Sequence, residues 1–219
     1  MKDYLSKQVS NFFDGYSTDF DEIYDDELNK KNIIKYYVSR YLRGSMFSRF
    51  SYTIEALRDD KYMEILDMGC GAGRYSHELA KLNKKVFGID FSSKMIELAK
   101  KISETKNTKN TEFKCISAEE FKFEKSYDAV ICLGFFDYIE KPSILIDKIV
   151  KSKSKKFIGS FPKKKHILSF QRKVRYQLRK CPLYLYSLED LEKLKNSLNI
   201  ENTKIIDLGR DYLLEINCE

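Results

Sequence analysis

Between Met63 and Cys218 the apolar residues switch repeatedly between two spacings: short runs that suit a buried strand, and three- and four-residue steps that suit a helix. Strands are predicted at MEILDM (63–68), KVFGID (85–90), EFKCIS (112–117), YDAVICLG (127–134), KKFIGSF (155–161), TKIIDLG (203–209) and YLLEINC (212–218). Helices are predicted from Arg74 to Leu82, Ser93 to Ile102, Pro142 to Val150 and Leu188 to Leu198. Alternation of this kind specifies an α/β fold, a parallel sheet with helices on both faces. The last two strands depart from it. Only Gly209, Arg210 and Asp211 separate them, and a parallel pair needs a crossover of about a dozen residues, so they must run antiparallel.

Ahead of the sheet, Ile33, Ile34, Tyr37, Tyr41 and Leu42, then Phe47, Phe50, Ile54 and Leu57, recur at roughly helical spacing with a break near Gly44. Residues 1–60 therefore read as an N-terminal helical cap and 61–219 as the core. Between the fifth strand and the last helix, residues 161–186 are too many for an ordinary connection. Within that insert Ile167, Phe170, Val174 and Leu178 form an apolar stripe, while Arg172, Arg175 and Arg179 share another face of the same helix.

Composition narrows the picture. A chain of 219 residues with 42% hydrophobic content buries one full core, so one domain with appendages is expected. The apolar runs fall far short of the roughly 20 residues a membrane span requires, and the opening residues lack the apolar segment of a secretory signal. The expectation is a cytoplasmic chain with no transmembrane segment. Five cysteines without a CxxC pair argue against a disulfide framework, and two histidines leave little material for a metal site, so no metal is expected. The net charge of +7 is local in origin. Residues 151–180 hold twelve Lys or Arg and no acid, which leaves 28 basic against 33 acidic residues elsewhere.

The stretch ILDMGCGAGRY (65–75) carries the most specific chemistry. Gly69, Gly71 and Gly73 alternate between a strand and a helix, where they allow a sharp turn and let a ligand touch bare backbone. Asp90 ends the next strand, where an acid commonly accepts both hydroxyls of an adenosine ribose. A dinucleotide is disfavoured on two grounds. Its fingerprint wants a third glycine where this chain has Arg74, and Asp67 would repel a pyrophosphate while attracting a ligand that carries an amino group and a sulfonium.

These residues resemble the class I S-adenosylmethionine-dependent methyltransferase superfamily. ILDMGCGAGRYSHELA is similar to its first motif, VFGIDFSSKMIELAK to its second, and CISAEEFKFEKSYDAVICLGFFDYIEKP to the stretch spanning the adenine and catalytic strands. The resemblance implies a Rossmann-like seven-stranded sheet and S-adenosylmethionine as cofactor, with S-adenosylhomocysteine as its product. Asp67 would hold the methionine amino group, with Gly69, Cys70 and Gly71 forming the turn around it. Asp90 would bind the ribose, Phe91 and Met95 would line the adenine, and Ala118 and Glu119 would border its edge. Ser117 stands where many members have an Asp, and backbone near Leu133 would flank the methionine.

The superfamily places acceptor-side groups after the fourth strand, where this chain offers Asp137 and Tyr138. The acidic, aromatic segment FFDGYSTDFDEIY resembles the opening of small-molecule members that methylate quinone precursors or esterify a porphyrin carboxylate; there it folds over the cofactor, which makes Tyr16 a cofactor contact and Tyr24 a catalytic candidate. The basic insert reads as a lid over a small anionic acceptor, with Arg172, Arg175 and Arg179 for its charge and Tyr184 and Tyr186 for an apolar or aromatic body. DNA is excluded by the lack of a [DNS]-P-P-[YF] loop and of a Pro-Cys nucleophile. RNA as acceptor, tracked by the basic segment, a non-catalytic cofactor-binding module, and peripheral membrane contact by the lid remain as alternatives.

Overall fold

Ile65, Leu66 and Met68 are wholly buried on adjacent positions of one strand, as expected where both faces of a sheet are covered. The structure, a computed structural model, describes residues 46–164, 182–198, 200 and 202–218. In chain order its elements are α1 (46–56), β1 (Glu64–Met68), α2 (Arg74–Lys81), β2 (Lys85–Asp90), α3 (Ser93–Lys106), β3 (Thr111–Cys115), β4 (Ala129–Cys132), a 3₁₀ turn (Phe136–Tyr138), α4 (Pro142–Lys151), β5 (Lys156–Pro162), α5 (Leu188–Leu198), β6 (Thr203–Asp207) and β7 (Asp211–Asn217). The seven strands form a single sheet in the order β3-β2-β1-β4-β5-β7-β6. β1 to β5 pair in parallel, and β7 runs antiparallel to both β5 and β6. The fold is the one the strand pattern and the tight Gly209–Asp211 connection predict.

One face of the sheet packs Leu66, Val130, Phe157 and Leu214 against Leu145, Ile146 and Ile149 of α4 and Leu191 and Leu194 of α5. The other packs Ile65, Ile131, Ile158 and Leu213 against Tyr75 and Leu79 of α2, with Phe50, Tyr52 and Ile54 of α1 alongside. Each fully buried Leu or Ile side chain contributes about 1.5–3 kcal/mol. Over 46–56, α1 packs on the sheet and shares its core; residues 1–45 lie outside the described ones.

A buried ion pair fixes α1 further. Lys156 on β5 meets Glu215 on β7 at 3.0 Å, and the Tyr52 hydroxyl donates to the other Glu215 oxygen at 2.7 Å. Burial alone would raise the Glu215 carboxyl, but the Tyr52 hydrogen bond and the Lys156 ammonium hold it below its ordinary value.

Two predicted boundaries shift for local reasons. α3 runs to Lys106 instead of Ile102, and ends where Asn107 adopts the left-handed conformation (φ 51°). β4 is four residues long because the Asp128 carboxylate turns aside to accept from the Met63 and Glu64 amides, and Gly134 (φ 72°) turns the chain away. Between β3 and β4 the chain makes a single turn at 118–120 where a helix could have stood.

Candidate functional site

Asp67 is the fourth residue of β1, beside Gly88 of β2 and Ile131 of β4, so it emerges at the carboxyl edge in the middle of the sheet. The chain then turns on glycines. Gly69, Gly71 and Gly73 have φ of 72°, 54° and 79°, values a side chain disfavours. The amides of Gly69 and Cys70 both donate to the Ile89 carbonyl, at 2.8 and 3.0 Å, and the Gly73 amide returns to the Cys70 carbonyl at 2.9 Å. The turn is thus tied to β2 before α2 begins. At Gly69 an added Cβ would lie 2.4 Å from the Phe135 ring, whereas at Gly71 it would meet nothing within 4 Å among the described residues. Open space over Gly71 is what a ligand laid along the turn needs.

The two acids flank that space. Asp67 is 2% exposed, and its Oδ2 accepts from the Ser76 hydroxyl at 2.6 Å. Burial raises its carboxyl to about 7; the Ser76 hydrogen bond offsets part of this and the neighbouring Asp90 adds to it. A cation placed beside Asp67 would relieve the cost of its charge. Asp90, at the end of β2, is tied to the turn: Oδ2 accepts from the Gly71 amide and Oδ1 from the Ser92 amide, both at 2.9 Å. These bonds fix the orientation of the Asp90 carboxylate at the edge of the turn. Ser92 also caps α3 by accepting from the Met95 amide.

The remaining cofactor candidates fall around the same edge. Cys70 lies in the turn, and burial pushes its thiol up, away from reactivity. Phe91 is half-buried and Met95 is enclosed. Leu133 turns its side chain into the α1 face, which leaves its backbone for the cleft. Ser117 caps the 118–120 turn: its hydroxyl accepts from the Glu120 amide at 3.2 Å and donates to the Glu120 carboxylate at 3.0 Å. Ala118 is buried and Glu119 exposed on that turn.

On the acceptor side Asp137 is 2% exposed within the 3₁₀ turn and Tyr138 is half-buried. The N-cap position of α4 belongs to Lys141, without a side-chain cap bond, so capping that helix does not explain Asp137. The Tyr184 amide donates to the Asp137 carbonyl at 2.8 Å, which brings the end of the predicted insert against this loop. Tyr186 is used structurally. Its hydroxyl donates to the Phe136 and Ile139 carbonyls, at 3.2 and 3.1 Å, and its ring meets Phe161 edge-on. With its proton held by backbone, it supports the pocket instead of contacting an acceptor through its phenol. Tyr16, Tyr24, Arg172, Arg175 and Arg179 lie outside the described residues.

Two further features stand beside this edge. Arg49 of α1 reaches over the sheet, where Nε donates to the Tyr75 hydroxyl (3.1 Å) and Nη1 donates to the Ser160 hydroxyl (3.1 Å) and pairs with Asp211 (3.5 Å). Ser160 also accepts from the Gly134 amide at 2.7 Å, so α1, β5 and β7 jointly hold the loop after β4. His77 is the second. One ring nitrogen lies 3.2 Å from the Ala72 carbonyl in the glycine turn and the other 3.5 Å from Thr108. Burial and Lys106 lower its pKa, which favours the neutral ring. The only sequence cue for Arg49 was a charge between Phe47 and Phe50 on an apolar stripe.

A family model described as a methyltransferase domain matches residues 59–172. The ubiquinone biosynthesis O-methyltransferase of Pelagibacter ubique (strain HTCC1062) is 27% identical over 176 residues, which cover 78% of this chain and 72% of that protein. The malonyl-(acyl-carrier protein) O-methyltransferase of Bacillus cereus is 30% identical over 98 residues, 42% of this chain and 35% of that protein. Among solved structures, the magnesium protoporphyrin IX methyltransferase of Synechocystis PCC 6803, crystallised with bound S-adenosylhomocysteine, superposes with a TM-score of 0.73 at 22% identity, covering 95% of this chain and 97% of that one. That last likeness is one of fold.

Proposed function

Because the chain belongs to the methyltransferase domain family and is a class I S-adenosylmethionine-dependent methyltransferase, we infer that it transfers the methyl group to an oxygen of a small anionic acceptor with a flat, partly apolar body. The observation that carries this reading is the contact between the two loops of the cleft. The Phe135 ring lies directly on Gly69, so the loop after β4 adjoins the turn that would hold the donor. Phe135, Tyr138 and Tyr184 line this side half-buried, and Phe136 stacks on Phe161 behind them with centroids 4.5 Å apart. Aromatic walls fit a flat acceptor. The choice of oxygen rests on the two similar proteins, which are both named O-methyltransferases.

The reaction is an in-line displacement. The acceptor oxygen forms a bond to the methyl carbon as the bond from carbon to sulfonium breaks, and the sulfur leaves as a neutral thioether. A carboxylate acceptor has no proton to lose; a hydroxyl acceptor would pass its proton to a base, for which Asp137 is the nearest candidate on this loop. Holding the partners in line can supply on the order of 7–11 kcal/mol. Asp67 and Asp90 would hold the amino and ribose ends of the donor, while Arg172, Arg175 and Arg179 of the insert would meet the acceptor's negative charge.

The test uses methyl-labelled S-adenosylmethionine and a metabolite extract, with the wild type beside Asp90→Ala and Arg175→Ala. The expected result is a labelled small anionic product, lost in Asp90→Ala through cofactor affinity and weakened in Arg175→Ala through acceptor capture alone. Label in the RNA fraction, or cofactor binding with no transfer, would overturn the proposal.

A further inference from the structure

A lone helical turn is hard to keep in place. Closing it fixes several backbone dihedrals for a single hydrogen bond, so it does not persist without support from outside. The turn at 118–120 is such a case. Its internal backbone bond runs from the Phe121 amide to the Ser117 carbonyl at 3.0 Å, and its start is closed by the Ser117 hydroxyl, which accepts from the Glu120 amide and donates to the Glu120 carboxylate. Its far end presents carbonyls that a longer helix would have used. All three that matter are taken by one side chain from a different part of the fold: Lys148 Nζ, from the middle of α4, donates to the carbonyls of Ala118 (3.5 Å), Glu119 (3.3 Å) and Phe121. Its ammonium also lies 5.9 Å from the centre of the Phe123 ring. A cation at the carbonyl end of a helical turn is electrostatically favourable.

We propose that Lys148 is a positioning residue for the adenine half of the cofactor: it holds the Ala118–Glu119 wall at the height at which an adenine bound over Asp90 meets it. The register supports this. Cys115, the last residue of β3, pairs with Asp90, and the Ile116 amide donates to the Asp90 carbonyl at 2.9 Å, so the turn begins two residues beyond the ribose acid. Ser117 is committed to capping and Glu119 faces solvent, so the wall offers backbone and the Ala118 methyl more than a charged acceptor; its position then decides its fit. α4 follows the loop that carries Asp137. Lys148 thus ties the helix behind the acceptor loop to the wall of the donor pocket. The inference rests on the placement of the adenine given above.

Isothermal titration with S-adenosylhomocysteine and with 5′-methylthioadenosine tests it, since the second keeps the adenosine and lacks the amino acid. Lys148→Met is expected to weaken both ligands by the same factor, about tenfold, with Lys148→Arg recovering most of the loss. Stoichiometry measured below the melting transition reports the folded fraction, so a merely destabilised protein would show fewer sites with unchanged affinity. Unchanged affinity in Lys148→Met, or a loss confined to S-adenosylhomocysteine, overturns the proposal. Two controls separate it from its premise. Asp67→Asn is expected to affect S-adenosylhomocysteine alone, and Asp90→Ala to weaken both ligands. If Asp90→Ala leaves methylthioadenosine binding intact, the adenine placement itself is wrong; if it weakens binding while Lys148→Met does not, only the role of Lys148 falls.

Discussion

Around β1 and β2 the carboxyl edge of the sheet is shaped by backbone: three left-handed glycines, amides turned onto the Ile89 carbonyl, and the Gly71 amide donating to Asp90. Around β4, β5 and β7 it is shaped by side chains that arrive from far along the chain. Arg49 comes from α1, Ser160 from β5, Asp211 from β7 and Tyr186 from the end of the insert. The first half depends on conformations few residues can adopt, so it tolerates little change. The second depends on pairings that can be removed singly, each for a modest cost.

The largest effect is expected where the halves touch. Gly69→Ala must hold alanine at φ 72° and push its Cβ to 2.4 Å from the Phe135 ring. Left-handed backbone alone costs roughly 1–2 kcal/mol, and the collision adds to it. We expect a loss of S-adenosylhomocysteine affinity of about 100-fold by calorimetry, or about 2.7 kcal/mol. The double variant Gly69→Ala/Phe135→Leu is expected to recover part of it. Recovery would show that the ring contact, and not backbone strain alone, joins donor and acceptor loops; full affinity in the single variant would refute the contact.

The same contrast explains what could be read from the chain. Strand order, the closing hairpin and the placement of Asp67 and Asp90 at the carboxyl edge rest on local signals: apolar period, alternate glycines, an acid at a strand end. Arg49 and Lys148 carry no such signal. Each acts across the fold, on partners 111 residues away for the Arg49–Ser160 bond and 27 to 30 for the carbonyls Lys148 holds. Tyr186 was legible as part of an aromatic pocket, but not as a phenol spent on the Phe136 and Ile139 carbonyls. Ser117 was read by analogy with an adenine-contacting acid, yet the S-x-x-E spacing with Glu120 is itself a capping signature.

Acidity gives a second, smaller effect on the donor half. With its carboxyl raised to about 7 by burial, Asp67 of the free protein is protonated below neutrality and must lose that proton before it can attract an ammonium group. S-adenosylhomocysteine affinity is expected to improve as pH rises to about 7 and level off above it, changing by up to about tenfold per unit below. Binding near pH 7 should release protons, seen as a dependence of the binding heat on buffer ionisation. The stability of the free protein carries the opposite sign for this one group. Between its ordinary value of 3.8 and about 7 the folded state keeps a proton that the unfolded chain has lost, so its share of stability falls as pH rises through that window. Asp67→Asn should flatten both trends, while an unaltered slope in that variant would assign the titration to another group.

The smallest effect is expected from the acceptor half. Ser160→Ala removes the acceptor of the Gly134 amide and one partner of Arg49, leaving a buried donor unpaired at a cost of about 1–3 kcal/mol. For a chain of this size that corresponds to a fall in Tm of roughly 2–10 °C. Because Asp90, Gly71 and the Ile89 carbonyl make no use of Ser160, S-adenosylhomocysteine affinity should stay within about twofold of wild type, a change of no more than roughly 0.4 kcal/mol. The Gly134 amide should meanwhile exchange its hydrogen faster, and Ser160→Thr, which keeps the hydroxyl, should protect it again. A loss of cofactor affinity as large as that of Gly69→Ala would mean that the Arg49–Ser160 network also shapes the donor turn, and the two halves of the edge would then have to be treated as one cooperative unit.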